Sequence, residues 1–138
     1  MQQLLLTVDF IHSKNIIHRD IKPENILIHK IEGEHRDQFD VKIADLGLAT
    51  FLSSDKLEKK FLPCGTPCYI APEVLNGAGY REKADVYSLG SVFFNLVTGR
   101  YLFNGSGKDN FLEKNRICDL KNIKKYTDTL TPACRLLL

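Results

Sequence analysis

The chain has 138 residues, of which 43% are hydrophobic and 26% are charged. Nineteen Lys and Arg against seventeen Asp and Glu give a formal net charge of +2. These values are typical of one ordinary soluble domain or part of one, and they exclude collagen-like, low-complexity and strongly disordered chains. The small positive excess gives no reason to expect nucleic acid as a partner, because that kind of binding needs a basic face.

Nothing in the sequence indicates a membrane span or an export signal. The most apolar stretch, residues 86–97, is interrupted by Ser88, Ser91 and Asn95 and is shorter than the roughly 20 residues that cross a bilayer. Residues 1–10 lack the basic start of a secretory signal, so we expect an intracellular, cytoplasmic protein. The four cysteines are not grouped as zinc ligands would be, and we expect them to be reduced.

The first third of the chain predicts one helix and three short strands. Residues 16–17, 26–28 and 41–43 are β-branched runs that are typical of strands. Residues 29–40 are polar, with a break at Gly33, and predict a hairpin between the last two runs. The apolar residues before these runs recur at the spacing of an amphipathic helix; they include Leu4, Leu5, Val8, Phe10 and Ile11.

The rest of the chain predicts a long irregular segment followed by helices. Residues 45–72 contain Gly and Pro at positions that prevent regular structure, and an ordered loop of that length usually has a function. A buried helix follows and ends at Gly99, and its predicted apolar face consists of Val86, Leu89, Val92, Phe93, Leu96 and Val97. Residues 111–120 have a weaker helical pattern, and Thr131 with Pro132 predicts the start of a last helix.

The most informative segment covers residues 18–25, which read HRDIKPEN. Here the sequence resembles the catalytic loop of the eukaryotic protein kinases of the Ser/Thr type. Five specified residues in a fixed frame would arise by chance with a probability on the order of 10⁻⁴ or less. Three letters alone carry little weight, because residues 35–37 also read HRD but are followed by Phe39 and Lys42 where Lys and Asn are needed.

Further motifs follow in the order and approximate spacing of a kinase domain. Asp45, Leu46 and Gly47 stand in the place of the Asp-Phe-Gly metal motif. Residues 65–73, which read GTPCYIAPE, match the end of the activation segment, and residues 85–90, DVYSLG, open the buried helix. The resemblance therefore covers essentially the whole chain.

The resemblance implies an α+β fold that is mostly α, with a few short strands around the catalytic and metal loops. Residues 1–138 would form a partial protein kinase domain, the C-terminal lobe from the end of helix αE to the start of helix αH. Seventeen residues precede His18, which is too few for an N-terminal lobe with its Gly-rich loop and strand Lys. We therefore expect the N-terminal lobe to be absent and the chain alone to be weak or inactive.

The resemblance also implies a role for each residue of the motifs. Asp20 would accept the proton of the acceptor hydroxyl, and Lys22 would contact the transferred phosphate. Asn25 and Asp45 would hold Mg²⁺ through oxygen atoms, which this ion prefers. Thr66 would bridge the catalytic Asp and Lys. Any one of these residues taken separately is more often a solvated turn residue, so the argument depends on the complete frame.

ATP is the implied cofactor beside Mg²⁺. Residues 26–28 would form an apolar floor under the adenine ring, with Leu27 nearest to it, and we also expect these three residues to pack in the core. The residues implied to contact the nucleotide or its metal are Lys22, Glu24, Asn25, Leu27 and Asp45.

Three further residues are implied to support or regulate the catalytic loop. His18 would support the loop from the core rather than bind a metal, and Asp85 would brace the backbone of the loop. Arg19 would pair with a phosphorylated residue of the irregular segment. The candidates for that modification are Thr50, Ser53 and Ser54.

Two functional interpretations remain open at this stage. The first is a protein serine/threonine kinase that transfers the γ-phosphoryl group of ATP to a Ser or Thr hydroxyl of a protein substrate. The second is a non-catalytic, kinase-like binding or regulatory module. Residues 64–67, CGTP, and the segment 104–116 hint at the calmodulin-dependent-kinase-like branch. Nothing in the sequence indicates oligomerisation or a membrane partner.

Overall fold

The computed structural model describes residues 1–31, 38–52, 63–77, 81–103, 108–118, 120, 123–128 and 130–136. Within these ranges the chain is a mixed α/β structure. The helices are α1 (Gln2–Ser13), α2 (Pro72–Leu75), α3 (Lys83–Thr98), α4 (Lys108–Ile117), α5 (Lys124–Thr127) and α6 (Pro132–Leu136). The strands are β1 (Ile16–Ile17), β2 (Ile26–Ile31), β3 (Gln38–Ile43) and β4 (Thr50–Phe51), and a 3₁₀ turn covers Pro23–Asn25.

The N-terminal helix α1 packs against the core and against strand β3. Leu4 and Val8 lie one helical turn apart and are both buried. The side-chain amide of Gln3 donates to the carbonyl oxygen of Phe39 at 2.8 Å, and its oxygen accepts from the backbone N–H of Val41, also at 2.8 Å. These apolar and polar contacts together fix the orientation of α1 relative to the hairpin.

Strands β2 and β3 form the predicted hairpin, which is confirmed. They pair in antiparallel register from Ile26 opposite Ile43 to Ile31 opposite Gln38. Both strands extend further into the polar segment than the β-branched runs indicate, so the predicted excursion is shorter than expected. Its tip, residues 32–37, which contains the second HRD sequence, lies outside the described residues.

A second, smaller sheet joins the segment after α1 to the long segment that was predicted to be irregular. Strands β1 and β4 are antiparallel, with Ile16 opposite Phe51 and Ile17 opposite Thr50. The prediction for residues 45–72 is therefore wrong at β4, as it is at the start of α2. A two-residue strand and a one-turn helix are too short to leave a periodic pattern in the sequence.

Helix α3 is the predicted buried helix, and its end at Gly99 is confirmed. Gly99 has a φ of +67°, the left-handed conformation that glycine adopts readily, and its N–H donates to the carbonyl oxygen of Asn95 at 2.8 Å. Ser88 donates its buried hydroxyl to the carbonyl oxygen of Tyr69 at 2.8 Å. The buried residues of the helix are Ala84, Asp85, Ser88, Leu89, Ser91, Val92, Phe93 and Phe94.

Several apolar residues that the sequence placed in the core are exposed. Val86 and Leu96 of α3 face solvent, because the buried face of this helix includes polar residues whose hydrogen bonds are made internally. Leu27 and Ile28 are 55% and 68% exposed, so the prediction that they pack in the core is wrong. Only Ile26 packs against the main core, because β2 leaves the core after its first residue.

The C-terminal helices differ from the prediction mainly in their bounds. The segment predicted at 111–120 forms α4 over Lys108–Ile117. The start of α6 at Pro132 is confirmed, and Thr131 Oγ1 accepts from the backbone N–H of Cys134 at 3.4 Å. Helix α5 was missed because it has a single turn. Within the described ranges, no helix has both the length and the apolar character needed to cross a membrane.

Candidate active site

Three side chains of the predicted site form a closed triangle of polar contacts. Lys22 Nζ lies 2.8 Å from Oδ2 of Asp20 and donates to Oγ1 of Thr66 at 3.1 Å. The Thr66 hydroxyl in turn donates to Oδ1 of Asp20 at 2.8 Å. Because Thr66 lies 46 positions after Asp20 in the chain, the tertiary fold brings these groups together.

The triangle holds a carboxylate and an ammonium in their charged forms. Burial alone would raise the pKa of Asp20, but hydrogen bonds from Lys22 and Thr66, with a smaller one from Asn25, lower it below its ordinary value. The hydrogen bond to Asp20 raises the pKa of Lys22 against the opposing effect of burial, and the charges of Glu24 and Asp45 raise it further. Both groups are therefore ionised at neutral pH.

Asn25 and Asp45 lie next to each other at the open end of the hairpin. The backbone N–H of Ala44 donates to the carbonyl oxygen of Asn25 at 2.8 Å, which continues the pairing of β2 and β3. Asn25 Nδ2 donates to the carbonyl oxygen of Asp20 at 2.9 Å, so its Oδ1 is the atom that a cation would use. Asp45 is exposed, with a φ of +63°, and its Oδ1 accepts from the N–H of Gly47 at 3.0 Å.

The backbone before Asp20 is held by the Asp85 carboxylate, which is only 1% exposed. Asp85 Oδ2 accepts from the N–H of His18 and from Nε2 of His12, each at 2.8 Å, and Oδ1 accepts from the N–H of Arg19 at 2.9 Å. Arg19 has a φ of +69°, a conformation that costs on the order of 1–3 kcal/mol for a residue with a side chain. The brace predicted for Asp85 is confirmed, and it offsets this strain.

The buried ring of His18 connects the two loops of the site. Its Nδ1 accepts from the backbone N–H of Asp20 at 3.3 Å, and its Nε2 lies 3.1 Å from the carbonyl oxygen of Ala44. The prediction that His18 supports the loop from the core is therefore confirmed. The ring sets the distance between the loop that carries Asp20 and the loop that carries Asp45.

Gly65 allows the segment that carries Thr66 to approach the loop closely. Its φ is +115°, which side chains other than glycine rarely permit. A Cβ atom at this position would lie 2.8 Å from the carbonyl oxygen of Arg19 and 3.2 Å from Cγ1 of Ile70. The residue before Thr66 must therefore lack a side chain for the triangle to form.

Arg19 is the residue predicted to pair with a phosphorylated residue of the long segment. Its Nε donates to the carbonyl oxygen of Leu48 at 2.5 Å, so its side chain extends towards the start of that segment. The candidate Thr50 is paired in β4. The candidates Ser53 and Ser54 lie outside the described residues.

Comparison with known proteins decides which family has this arrangement. A family model described as the protein kinase domain matches residues 1–135. The chain belongs to the protein kinase family. Its relatives place it among the serine/threonine kinases, so the family expected from the residues 18–25 and the later motifs is confirmed.

Three relatives show the extent of the similarity. The chain is 39% identical to calcium-dependent protein kinase 4 of Plasmodium falciparum over 93% of its length and 24% of that protein. It is 39% identical to human serine/threonine-protein kinase ULK1 over 84% of its length and 11% of that protein. For the serine/threonine-protein kinase ATG1c of Arabidopsis thaliana the values are 41%, 82% and 15%. The chain thus spans about a quarter or less of these relatives, and their similar identities do not select one branch of the family.

Two predicted nucleotide contacts of this kinase chain lie outside the polar cluster. Glu24 is exposed on the 3₁₀ turn and acts on the cluster through its charge, which raises the pKa of Lys22. Leu27 is exposed in β2, two residues beyond Asn25. The hydrogen-bonded part of the site consists of Asp20, Lys22, Asn25 and Thr66, and Asp45 lies beside it.

Sequence reasoning missed the contact between His12 and Asp85. A signal was present, because His12 continues the spacing of the buried residues Leu4 and Val8 and so lies on the same face of α1. A polar residue on a buried face needs a polar partner, since an unpaired polar group in the core is costly. That partner is 73 positions away in the chain, where periodicity gives no information.

The second group that was missed is centred on Asn115 of α4. Asn115 is 2% exposed and lies three positions after Leu112, which packs against a cluster of buried apolar residues. Its Nδ2 donates to the carbonyl oxygens of Pro67 and Ile70, and its Oδ1 accepts from the hydroxyl of Tyr87. The helical spacing could have placed Asn115 on the buried face but could not have identified its partners.

Proposed function

We propose that this protein is a kinase that transfers the γ-phosphoryl group of ATP to a Ser or Thr hydroxyl of a protein substrate. The proposal rests on the Asp20 carboxylate, which lies 2.8 Å from both the Lys22 ammonium and the Thr66 hydroxyl. Membership of the protein kinase family, with relatives named as serine/threonine kinases, supports the same activity.

In this reaction the substrate hydroxyl oxygen attacks the γ-phosphorus, and ADP leaves with the electrons of the broken bond. Asp20 accepts the proton of the hydroxyl, and its lowered pKa keeps it ionised for that purpose. Positioned general bases typically contribute 10²–10⁴-fold to the rate. Lys22, whose pKa is raised, stays cationic and neutralises charge on the phosphoryl oxygens.

The residues of the site fit a magnesium ion bound with ATP. Asn25 directs its amide nitrogen towards Asp20, which leaves an oxygen for the metal, and Asp45 adds an exposed carboxylate beside it. Amide and carboxylate oxygens are ligands that Mg²⁺ prefers. When bound, this ion neutralises phosphate charge. Glu24 and Leu27 are the further residues that we propose to contact the nucleotide.

We also propose that residues 1–138 form part of the C-terminal lobe of a kinase domain, from the end of αE to the start of αH. In this assignment α1 is the end of αE, α3 is the buried helix behind the catalytic loop, and α6 is the start of αH. The order of the loops supports this assignment, since Asp20 precedes the hairpin and Asp45 and Thr66 follow it.

A phosphotransfer assay with matched variants tests the proposal. Transfer of labelled phosphate from ATP to a library of Ser and Thr peptides is measured for the wild type and for Asp20→Asn. The substitution should lower turnover by at least about 100-fold, because the base is lost. Asp9→Asn changes an exposed carboxylate of α1 and should keep the wild-type rate. Undiminished turnover in Asp20→Asn would show that the base is assigned incorrectly.

Calorimetric titration with Mg-ATP tests the binding half of the proposal separately. Asp45→Asn should weaken Mg-ATP binding because it removes one charged oxygen ligand, whereas Asp20→Asn should leave binding largely unchanged. A wild-type chain that binds Mg-ATP without transferring phosphate would favour a kinase-like binding module. A wild-type chain that does neither would reject the proposal.

A further inference from the structure

We propose that Asn115 is a positioning residue that clamps the loop of residues 66–71 and thereby sets the Thr66 hydroxyl against Asp20. The consequence for a peptide substrate rests on the proposed kinase function, whereas the clamp itself does not. Asn115 Nδ2 donates to the carbonyl oxygens of Pro67 at 3.1 Å and Ile70 at 2.5 Å. One side chain of α4 thus holds both ends of the turn that follows Thr66.

The loop has no other shape that keeps the same hydrogen bonds. The backbone N–H groups of Tyr69 and Ile70 both donate to the carbonyl oxygen of Thr66, at 2.9 Å and 3.2 Å, so the turn is closed on Thr66 itself. The carbonyl of Pro67 points outward from this turn to Asn115. If the amide of Asn115 were lost, two carbonyl oxygens would need new donors, and a buried unpaired carbonyl costs about 1–3 kcal/mol.

The amide of Asn115 has a fixed orientation. Its nitrogen must face the carbonyls of Pro67 and Ile70, since a carbonyl oxygen only accepts hydrogen bonds. Its Oδ1 therefore faces Tyr87, whose hydroxyl donates to it at 2.7 Å. Burial, together with Cys118, raises the pKa of Tyr87 above its ordinary value, so its hydroxyl keeps its proton and remains a donor at neutral pH.

The choice of residue also indicates a tertiary role. Asn is an unfavourable residue inside a helix, because its side chain competes with the backbone for hydrogen bonds. At position 115, within α4, the side chain instead points out of its own helix to the loop and to α3. The position therefore accepts a local cost in helix stability and gains three buried hydrogen bonds with two other segments.

The clamp connects α4 to the place where a substrate would react. The Thr66 hydroxyl contacts both Asp20 and Lys22, so any peptide whose hydroxyl reaches Asp20 lies beside the loop that Asn115 holds. A shift of this loop would change how the acceptor hydroxyl is presented without changing Asn25 and the metal side of the site. We therefore expect Asn115 to affect the peptide rather than the nucleotide.

Hydrogen exchange measured by NMR tests the clamp without any need for activity. Asn115→Leu keeps the branched shape but removes both donors, and it should speed exchange of the Tyr69 and Ile70 amides by about 10–100-fold. Asn115→Gln keeps the donors on a longer side chain and should retain more of the protection. Tyr87→Phe removes only the hydroxyl and should have the smallest effect. The amide of Val92, in the buried middle of α3, is the control for global unfolding.

Unchanged exchange at Tyr69 and Ile70 in Asn115→Leu, with Val92 still protected, would overturn the clamp. Should Asn115→Leu fail to fold, the comparison passes to Asn115→Ser, whose short side chain leaves the carbonyls to water. Wild-type protection in Asn115→Ser would equally overturn it.

Steady-state kinetics tests the consequence for the substrate. Asn115→Leu should raise the KM for a peptide by about tenfold and leave the KM for ATP within about twofold. Faster exchange of the loop amides with an unchanged peptide KM would overturn the link to the substrate. Absence of phosphate transfer in the wild type would count against the proposed function alone, because the exchange result needs neither ATP nor turnover.

Discussion

Replacement of Asp85 by Asn should strongly destabilise the protein. The carboxylate accepts three hydrogen bonds of 2.8–2.9 Å from His12, His18 and Arg19. Asn has a single acceptor oxygen, so one donor would face its NH₂ group, and hydrogen bonds to a charged acceptor contribute about 1.5–3 kcal/mol each. Because a neutral side chain is easier to bury, part of this loss is offset, and we expect a net decrease of about 3 kcal/mol in the free energy of unfolding.

Urea-induced unfolding followed by circular dichroism measures this loss. With an m value of about 2 kcal/mol per molar urea, the midpoint of Asp85→Asn should fall by about 1.5 M. Asp9→Asn, which removes an exposed carboxylate of α1, should change the free energy of unfolding by less than about 0.5 kcal/mol. A loss below about 1 kcal/mol in Asp85→Asn would refute the argument that this carboxylate holds the strained backbone at Arg19.

Three further perturbations have defined outcomes. Gly65→Ala should cost more than about 2 kcal/mol in thermal unfolding, since its Cβ would lie 2.8 Å from a backbone oxygen; Gly77→Ala, with φ +66° and open space, should cost about 1 kcal/mol, and equal losses would contradict the clash. Thr66→Val removes a hydrogen bond that lowers the pKa of Asp20, so carboxyl NMR titration should show a higher pKa than in the wild type; an unchanged pKa would contradict the triangle. The folded-state pKa of Asp20 lies below the unfolded value of about 3.9, so the carboxylate stabilises the fold above that pH and loses this effect as the pH falls through the folded value. The difference in unfolding free energy between the wild type and Asp20→Asn should therefore shrink from pH 6 to pH 2, and a constant difference would contradict this.

The part of the site that lies in one loop could be predicted from the sequence. Asp20, Lys22 and Asn25 fall within six residues, and a short loop with a fixed frame restricts where its side chains can go. The structure brings these three residues together as their spacing indicates. Thr66 was assigned from the resemblance to kinases, and its contact with Asp20 across 46 positions is present in the structure. The chemical roles of these residues remain proposals.

The parts that could not be predicted are polar contacts between distant segments. Periodicity identifies apolar faces, so it placed Val86 and Leu96 in the core, where the structure has them exposed. It also gave no reason to bury Asp85, Ser88 and Ser91, which the structure places on the buried face of the same helix. A single sequence contains no record of which distant donor meets which acceptor, and buried polar residues can be placed only when their partners are known.

The polar residues of α3 explain how two distant segments meet in one site. Asp85 binds the backbone just before Asp20, and Ser88 donates to the carbonyl oxygen of Tyr69, in the loop that begins at Thr66. Residues three apart lie on neighbouring positions of one helix face, separated by about 4.5 Å along the axis. One turn of a rigid helix therefore fixes both segments, and the 2.8 Å contact between Asp20 and Thr66 depends on that turn. A side chain at either α3 position that cannot make its hydrogen bond should move one segment relative to the other and open the triangle.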